Sequence, residues 1–255
     1  MRTETYSTPG PLLLNLEIPA GEIEIDTSNT DETHIELEAV SNNDAVRDLV
    51  DNSRIELVRR GDGHEVIVEA KSRQGIFISL SRGPDIRFGG PDVRLRITCP
   101  KGADLDVRTK SADLRARGEY GGVEIKTASG DLQLDEARGA VRIKTASGDV
   151  HVRDARASIG ANTVSGDQNF EAVLKGRIEL KAISGDVTVG IRSGARVFVD
   201  ANTVSGSTSS ELDLGDAPAQ EPAPDSPLVE VFAKTVSGDV RIERAPALVE
   251  ATEQS

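Results

Sequence analysis

The chain has 255 residues, and its 30 Lys and Arg set against 43 Asp and Glu give a formal net charge of −13. Aromatic residues make up 3% of the chain, and there is no Trp. The acidic balance argues against nucleic-acid binding and against an anionic membrane surface, because both need concentrated positive charge. Scarce aromatic rings argue against base stacking and against the flat platforms on which sugars sit.

The first hundred residues alternate apolar and polar side chains in short runs, among them LLLNLEI, GEIEIDT, HIELEAV and RLRITC. This alternation predicts strands, and one short helix is expected near Asp44–Val50, where Asp44 can cap the first turn. Residues 1–102 are therefore predicted to form a β-rich N-terminal cap that runs on without a linker. Cys99 is the one cysteine of the chain, which excludes an intramolecular disulfide and predicts a buried small hydrophobic residue.

The N-terminus, MRTETYSTPGPLLLNLEIP, has only three consecutive leucines, far fewer than the core of a signal peptide. No run in the sequence approaches the roughly 18 apolar residues of a membrane span. A cytoplasmic protein with no membrane insertion is expected.

A short motif repeats through the second half of the chain. It reads KTASGDL at 126–132, KTASGDV at 144–150, NTVSGDQ at 162–168, KAISGDV at 181–187, NTVSGST at 202–208 and KTVSGDV at 234–240. A worn copy, RTKSADL, stands at 108–114. The serines of successive copies are 18, 18, 18, 19, 21 and 32 residues apart. Such a period is typical of a solenoid, in which each unit buries its apolar face against the next.

Within one unit, Val123, Ile125 and Thr127 fall on one side of a strand, and the alternation resumes past the Ser-Gly-Asp corner. Identical residues can stack directly only when coils lie about 4.8 Å apart, so the near-identical corners favour stacked coils over a meander of hairpins. We predict an all-β fold, a right-handed parallel β-helix or β-solenoid over 103–245, with roughly 18-residue coils and three short faces. An acidic, proline-rich loop is predicted at 216–227, and 246–255 forms a C-terminal tail.

Recurrent TxSGD corners after a GEIEI-type opening strand resemble a large bacterial family of β-strand-repeat proteins of unknown function that are described as adhesin-like. The resemblance covers most of the chain. It implies a β-repeat fold and an interaction role. The family has no established catalytic residues, so none is carried over to this sequence.

The corner residues are predicted to be structural, with each aspartate accepting hydrogen bonds from turn amides. A calcium ladder is the first alternative, but one carboxylate per coil is a lean supply for an ion that takes six to eight oxygens. A glycosidase pair is the second, but that chemistry needs two carboxyls in unequal environments and a uniform row provides the opposite. No catalytic, cofactor-binding or metal-binding residue is predicted. The corner residues are Ser129, Gly130, Asp131, Ser147, Gly148, Asp149, Ser165, Gly166, Asp167, Ser184, Gly185, Asp186, Ser205, Gly206, Ser237, Gly238 and Asp239.

Two further rows accompany the corners. A threonine row is in phase with the inward residues and is expected to point into the solenoid; it consists of Thr109, Thr127, Thr145, Thr163, Thr203 and Thr235. A lysine row, made of Lys126, Lys144, Lys181 and Lys234, is expected on the outside as solvated side chains that offset the aspartates. The outward positions two residues past each Gly-Asp vary, whereas the inward and corner positions repeat. The requirements of folding therefore explain the repeated residues without a function.

Three functions remain open. The first is a protein-interaction module that docks a partner through its outer faces or the acidic loop. The second is a structural scaffold that polymerises end to end in the manner of bactofilins, which an exposed last coil near Val240–Ile242 would support. The third, a polysaccharide-acting β-helix enzyme, is disfavoured by the missing aromatics and by the absence of a clustered polar site in the sequence.

Overall fold

In a computed structural model of the chain, residues 1–41, 43–70, 93–212 and 226–245 are described. These residues form one helix, α1 (Asp44–Asp51), and strands that follow one another as β1 (Arg2–Ser7), β2 (Leu12–Ser28), β3 (Glu32–Ala39), β4 (Arg54–Arg60), β5 (Gly63–Glu69), β6 (Val93–Pro100), β7 (Ala103–Lys126), β8 (Leu132–Ala137), β9 (Val141–Ser147), β10 (Val150–Ala155), β11 (Ile159–Ser165), β12 (Gln168–Val173), β13 (Gly176–Lys181), β14 (Val187–Ile191), β15 (Arg196–Ser205), β16 (Thr208–Ser210), β17 (Leu228–Ser237) and β18 (Val240–Arg244). The helix lies where the sequence predicts one.

The repeat region is a β-solenoid of parallel strands, which confirms the predicted fold class. Residues 123–126 of β7 stack in parallel with β9, β11 and β13 on one face, and residues 114–120 of the same strand stack with β8, β10, β12 and β14 on the other. Each coil contributes one strand to each face and turns at two corners, so the coils have two main faces where three short ones were expected. The reason is strand length, because β8 to β13 have six or seven residues each.

Apolar side chains at alternate positions of both faces fill the space between them. On β9, Val141 and Ile143 are almost fully buried, and on β10 Val150 and Val152 face them from the other side. Each such side chain stabilises the fold by about 1.5–3 kcal/mol relative to leaving it in water. Because coils stack in register, the same inward position is apolar in one coil after another, and one continuous core results.

The spatial order of the coils differs from their order in the chain. Strand β17 lies between β13 and β15, and β18 lies between β14 and β16. The exposed last coil near Val240–Ile242 that would support end-to-end polymerisation is therefore not found, since β18 lies between β14 and β16 and both of these side chains are buried. The outermost coil in the described structure is β15–β16. Its β16 strand has the sequence TSS, whereas β18 has apolar Val240 and Ile242 at the aligned positions, and polar residues suit an open end better than a covered one.

The N-terminal strands extend the same stack. Strand β2 pairs in parallel with β7, with Leu13 opposite Asp104 and Asp26 opposite Arg117, and β5 and β6 pair in parallel with the other side of β2. Strands β3 and β4 then add in antiparallel orientation, and β1 adds to β3 in the same way. The hydrophobic core is continuous across residue 102, and the domain boundary placed there from the sequence stays a prediction.

The predicted proline-rich loop at 216–227 and the tail at 246–255 lie outside the described residues, apart from Ser226 and Pro227. Within the described part of the chain α1 has eight residues, and no helix there is long and apolar enough to cross a membrane.

Candidate interaction surface

The Ser-Gly-Asp corners stack into a ladder along one edge of the solenoid. The backbone N–H of Asp149 donates a hydrogen bond to Oδ1 of Asp131 at 3.0 Å, and the N–H of Asp167 donates to Oδ1 of Asp149 at 2.8 Å. The same contact joins each described coil to the next, with amide donors at Asp131, Asp149, Asp167, Asp186, Asp239 and Ser207. Each carboxylate is thus committed to a neighbouring backbone amide.

The ladder also explains which coil ends the stack. The N–H of Ser207 donates to Oδ1 of Asp239 at 2.8 Å, but Ser207 has no carboxylate with which to receive a further coil. The pKa of Asp239 is lowered, because its ionised carboxylate accepts hydrogen bonds, first of all from the Ser207 backbone and next from the Ser207 side chain. Arg241 adds to this effect, and its Nη2 lies 3.0 Å from Oδ2 of Asp239.

Glycine is required in the corners by both conformation and space. Gly148 has a φ of +119°, and a Cβ at this position would lie 2.2 Å from the carbonyl oxygen of Gly130 on the neighbouring coil. The serines beside the glycines stack in parallel from coil to coil. In space the order is Ser111, Ser129, Ser147, Ser165, Ser184, Ser237 and Ser205.

The threonine row points inward, as predicted, at Thr145, Thr163 and Thr235, which are buried. The Thr145 hydroxyl donates to the carbonyl oxygen of Ser147 at 3.0 Å and so satisfies a backbone group at the turn. The Thr163 hydroxyl instead accepts a hydrogen bond from Gln168 Nε2 at 2.9 Å. The lysine row is exposed on the outer face. Lys126 makes an ion pair with Glu124 on its own strand at 2.5 Å, and not with a corner aspartate.

Between the threonine and the serine of each repeat lies an outward position that the sequence analysis overlooked. Four consecutive coils have a branched aliphatic residue there, in the spatial order Val164, Ile183, Val236 and Val204, and we call this row the aliphatic stripe. Their exposed fractions are 49%, 53%, 49% and 82%. Single exposed apolar residues are ordinary on protein surfaces, but a contiguous patch marks an interaction site.

The signal for the stripe was present in the sequence. The variable residue of TxSG is alanine in the first two good copies, at Ala128 and Ala146, and valine or isoleucine in the later four. Outward positions therefore do repeat at this place, contrary to the expectation from the positions past Gly-Asp. The coil order makes the row contiguous, because β17 brings Val236 between Ile183 and Val204.

Polar and charged side chains border the stripe on both sides. Lys234 precedes Val236 by two positions on β17, and outward neighbours of that kind are about 7 Å apart. Lys181, at the end of β13, precedes Ile183 by the same two positions. On the far side of the corner lie the aspartates, and Asp186 and Asp239 are partly exposed. Along the stripe the first side is therefore Asn162, Lys181, Lys234 and Asn202, with the two lysines at its centre. On the second side Arg241 makes ion pairs with both Asp186 and Asp239.

Cys99 and His151 are two groups of the kind that carry nucleophilic or metal chemistry, and both lie outside the aliphatic stripe. Cys99 is buried, and desolvation raises the pKa of its thiol to about 12, so the thiol stays protonated at neutral pH. His151 lies on the outer surface with Nε2 3.0 Å from Oε1 of Glu171. Within the described ranges no group of three or more His, Cys, Asp or Glu side chains could hold a metal ion.

Two-faced coils that stack in parallel, an aspartate ladder at one corner and the aliphatic stripe define a β-solenoid repeat protein. The chain belongs to the Toastrack DUF4097 family, whose model matches residues 14–243. This is a domain family of unknown function, and the match confirms the resemblance seen in the TxSGD corners. No curated protein matches the chain.

Three solved structures are similar over nearly the whole chain. A "putative cell adhesion protein" from Clostridium sporogenes is 11% identical, covers 95% of this chain and 99% of its own, and has a TM-score of 0.39. A "putative adhesin" from Bacteroides fragilis is 10% identical, with 94% and 96% covered and a TM-score of 0.36. Another "putative adhesin", from Parabacteroides distasonis, is 8% identical, with the same coverage and a TM-score of 0.42. Because these scores are below 0.5, the family assignment rests on the sequence match.

Proposed function

We propose that the protein is a non-enzymatic, adhesin-like interaction module that docks a protein partner along the aliphatic stripe. The observation that supports this most directly is the contiguity of Val164, Ile183, Val236 and Val204 on the outside of four adjacent coils. The fold does not demand these residues, because the equivalent corners at Ala128 and Ala146 have the same geometry with a single methyl group.

The stripe offers a partner both energy and orientation. Removing the exposed part of each aliphatic side chain from water is worth about 1 kcal/mol, from the area-based value for burying a whole side chain. Lys181 and Lys234 lie on one side of the centre of the stripe and favour an acidic group on the partner there, which helps to fix the direction in which a partner lies. An elongated partner with one apolar line and an acidic group opposite Lys181 and Lys234 fits this surface.

The uniformity of the corner ladder supports the non-enzymatic part of the proposal. General acid–base catalysis by two carboxyls depends on environments that separate their pKa values. Here successive aspartates make the same contact to the same kind of backbone amide. The cytoplasmic location expected from the sequence stays a prediction.

The test is a comparison of three proteins as bait against membrane and soluble extracts of the organism that encodes the chain. The first is the wild type, the second carries Ile183→Thr and Val236→Thr, and the third carries Ala128→Ser and Ala146→Ser. Threonine keeps the branched shape and strand preference of the original residues while removing their apolar surface. The serine variant changes polarity at the same position of the repeat, outside the stripe.

We expect the wild type and the serine variant to retain the same protein, and the threonine variant to lose at least about nine-tenths of it, as a loss of two buried aliphatic contacts predicts. Equal recovery by all three proteins would refute docking along the stripe. Circular dichroism and thermal melting of each bait check that the solenoid is intact.

The scaffold alternative, end-to-end polymerisation, has weaker support. At the N-terminal end the outer strands are β1 and β4, with sequences RTETYS and RIELVRR; β4 carries exposed charged residues, and the charged Arg2 and Glu4 of β1 are partly exposed. Charged edge strands discourage pairing with another chain. A filament would need this end to join the β15–β16 end of the next molecule.

A further inference from the structure

The open sheet of the described structure has four outer strands. Strands β1 and β4 lie at the N-terminal end, and β15 and β16 lie at the other. Three of these edges carry features that block further pairing: β1 and β4 are charged, and β16 has only the three polar residues TSS. Strand β15 is different, since it has ten residues with the sequence RVFVDANTVS.

The inward side of β15 lacks the cover that its neighbour has. Val199 is 37% exposed, whereas Val231, its register partner on β17, is fully buried. On the outward side Phe198 is 53% exposed, and its ring lies 5.8 Å from that of Phe232, centroid to centroid. Both faces of the β15 edge therefore expose apolar surface that one more strand would cover.

The sequence of β15 is self-complementary in antiparallel orientation. In a pairing centred on Phe198, Arg196 of one copy lies opposite Asp200 of the other, and Val197 lies opposite Val199. The relation holds twice because the two strands are identical. Oppositely charged pairs and apolar pairs directly across an antiparallel ladder are each stabilising, and a reversed charge would be unfavourable.

We propose that two copies of this chain associate through antiparallel pairing of their β15 strands about Phe198. The pairing places the two Phe198 rings side by side, each already against a Phe232 whose ring has Arg177 Cζ 4.3 Å from its centroid. The interface uses the same strand from both copies and is related by a two-fold axis, so it closes at the dimer. The charged β1 and β4 edges face outward at both ends and prevent growth into a filament.

The proposal shares only Val204 of β15 with the stripe and rests on other residues, and charge reversal tests it sharply. The mass of the full-length protein is measured by sedimentation and light scattering over a concentration series. We expect a dimer for the wild type, and at least about tenfold weaker association for Arg196→Asp and for Asp200→Arg, because each places like charges across the ladder twice. The doubly substituted chain restores opposite charges and is expected to dimerise again.

Mixing the two single variants provides a second readout. In a mixed pair both cross-strand contacts again join opposite charges, so we expect the two weakly associating proteins to form a heterodimer with each other. Neither a general loss of stability nor misfolding of one variant would produce that result. The Ile183→Thr and Val236→Thr variant serves as control and is expected to dimerise like the wild type, which separates this proposal from the one on the stripe.

Three outcomes would overturn the proposal. A wild type that stays monomeric while its β15 amides are protected from hydrogen exchange would mean that another segment of the same chain covers the edge. Particles that lengthen with concentration would indicate a filament. Association that is unchanged by every β15 charge reversal would place the contact elsewhere on the molecule.

Discussion

Replacing Gly148 with alanine should destabilise the solenoid strongly, because the corner has neither the conformation nor the space for a side chain. The φ of Gly148 is +119°, a region that costs a residue with a Cβ about 1–3 kcal/mol. The new methyl group would lie 2.2 Å from the carbonyl oxygen of Gly130, so the two coils must separate by about 1 Å to restore an ordinary contact distance near 3.4 Å.

That separation acts on hydrogen bonds that join the coils at the same corner. The Asp149 N–H contact to Asp131 Oδ1 measures 3.0 Å, and the Leu132 N–H contact to the Asp149 carbonyl oxygen, between the same two coils, measures 2.8 Å. Each is worth about 1 kcal/mol net. Together with the strain in φ, the expected loss in the free energy of unfolding is about 3–5 kcal/mol.

The assay is urea unfolding followed by circular dichroism, with Gly160→Ala as the matched control. Gly160 lies on β11 of the same region, has no positive φ, and a Cβ added to it would have no atom within 4 Å. Alanine there is expected to be neutral or to stabilise by up to about 1 kcal/mol, through the reduced entropy of the unfolded chain. If the two substitutions differ by less than about 1 kcal/mol, close stacking of the corners does not control stability.

Two further predictions concern charged groups. The pKa of Asp239 is lowered in the folded protein, so its ionised form contributes stability above the ordinary aspartate pKa of about 3.9, and this stability is lost as the pH falls through the lowered value. Thermal melts should therefore show that the advantage of the wild type over Asp239→Asn shrinks below about pH 4. A difference in melting temperature that does not change with pH would contradict this. Asp154 is buried, with Oδ1 2.7 Å from Arg192 Nη2 and Oδ2 3.1 Å from Arg156 Nε. Asp154→Ala should therefore lower the free energy of unfolding in urea by about 3 kcal/mol, because it leaves a half-buried Arg192 without its carboxylate. A loss below about 1 kcal/mol would mean that solvent replaces the ion pair.

Much of the candidate surface could be predicted from local pattern. Alternation with period two placed Thr145 inward and Lys144 outward, because a strand leaves no other choice once one face is buried. The pattern did not show that the residue between the threonine and the serine of each repeat contributes to a surface. A valine in one repeat is ordinary on its own, and the stripe becomes a surface only when Val164, Ile183 and Val236 are neighbours in space.

The sequence by itself determined the coil: its period of about 18 residues, its Ser-Gly-Asp corner and the direction of its side chains all follow from local geometry and from the stacking of like on like. The order of the coils was decided by the tertiary structure, because nearly identical repeats can stack on one another in more than one order. Contacts between distant segments selected one arrangement, in which β17 lies beneath β15 and Asp239 receives the amide of Ser207. The same selection paired β2 with β7. Pairing of this kind depends on which strand edges are free and on which side chains tolerate solvent at the end of the stack. The repeat length determines neither.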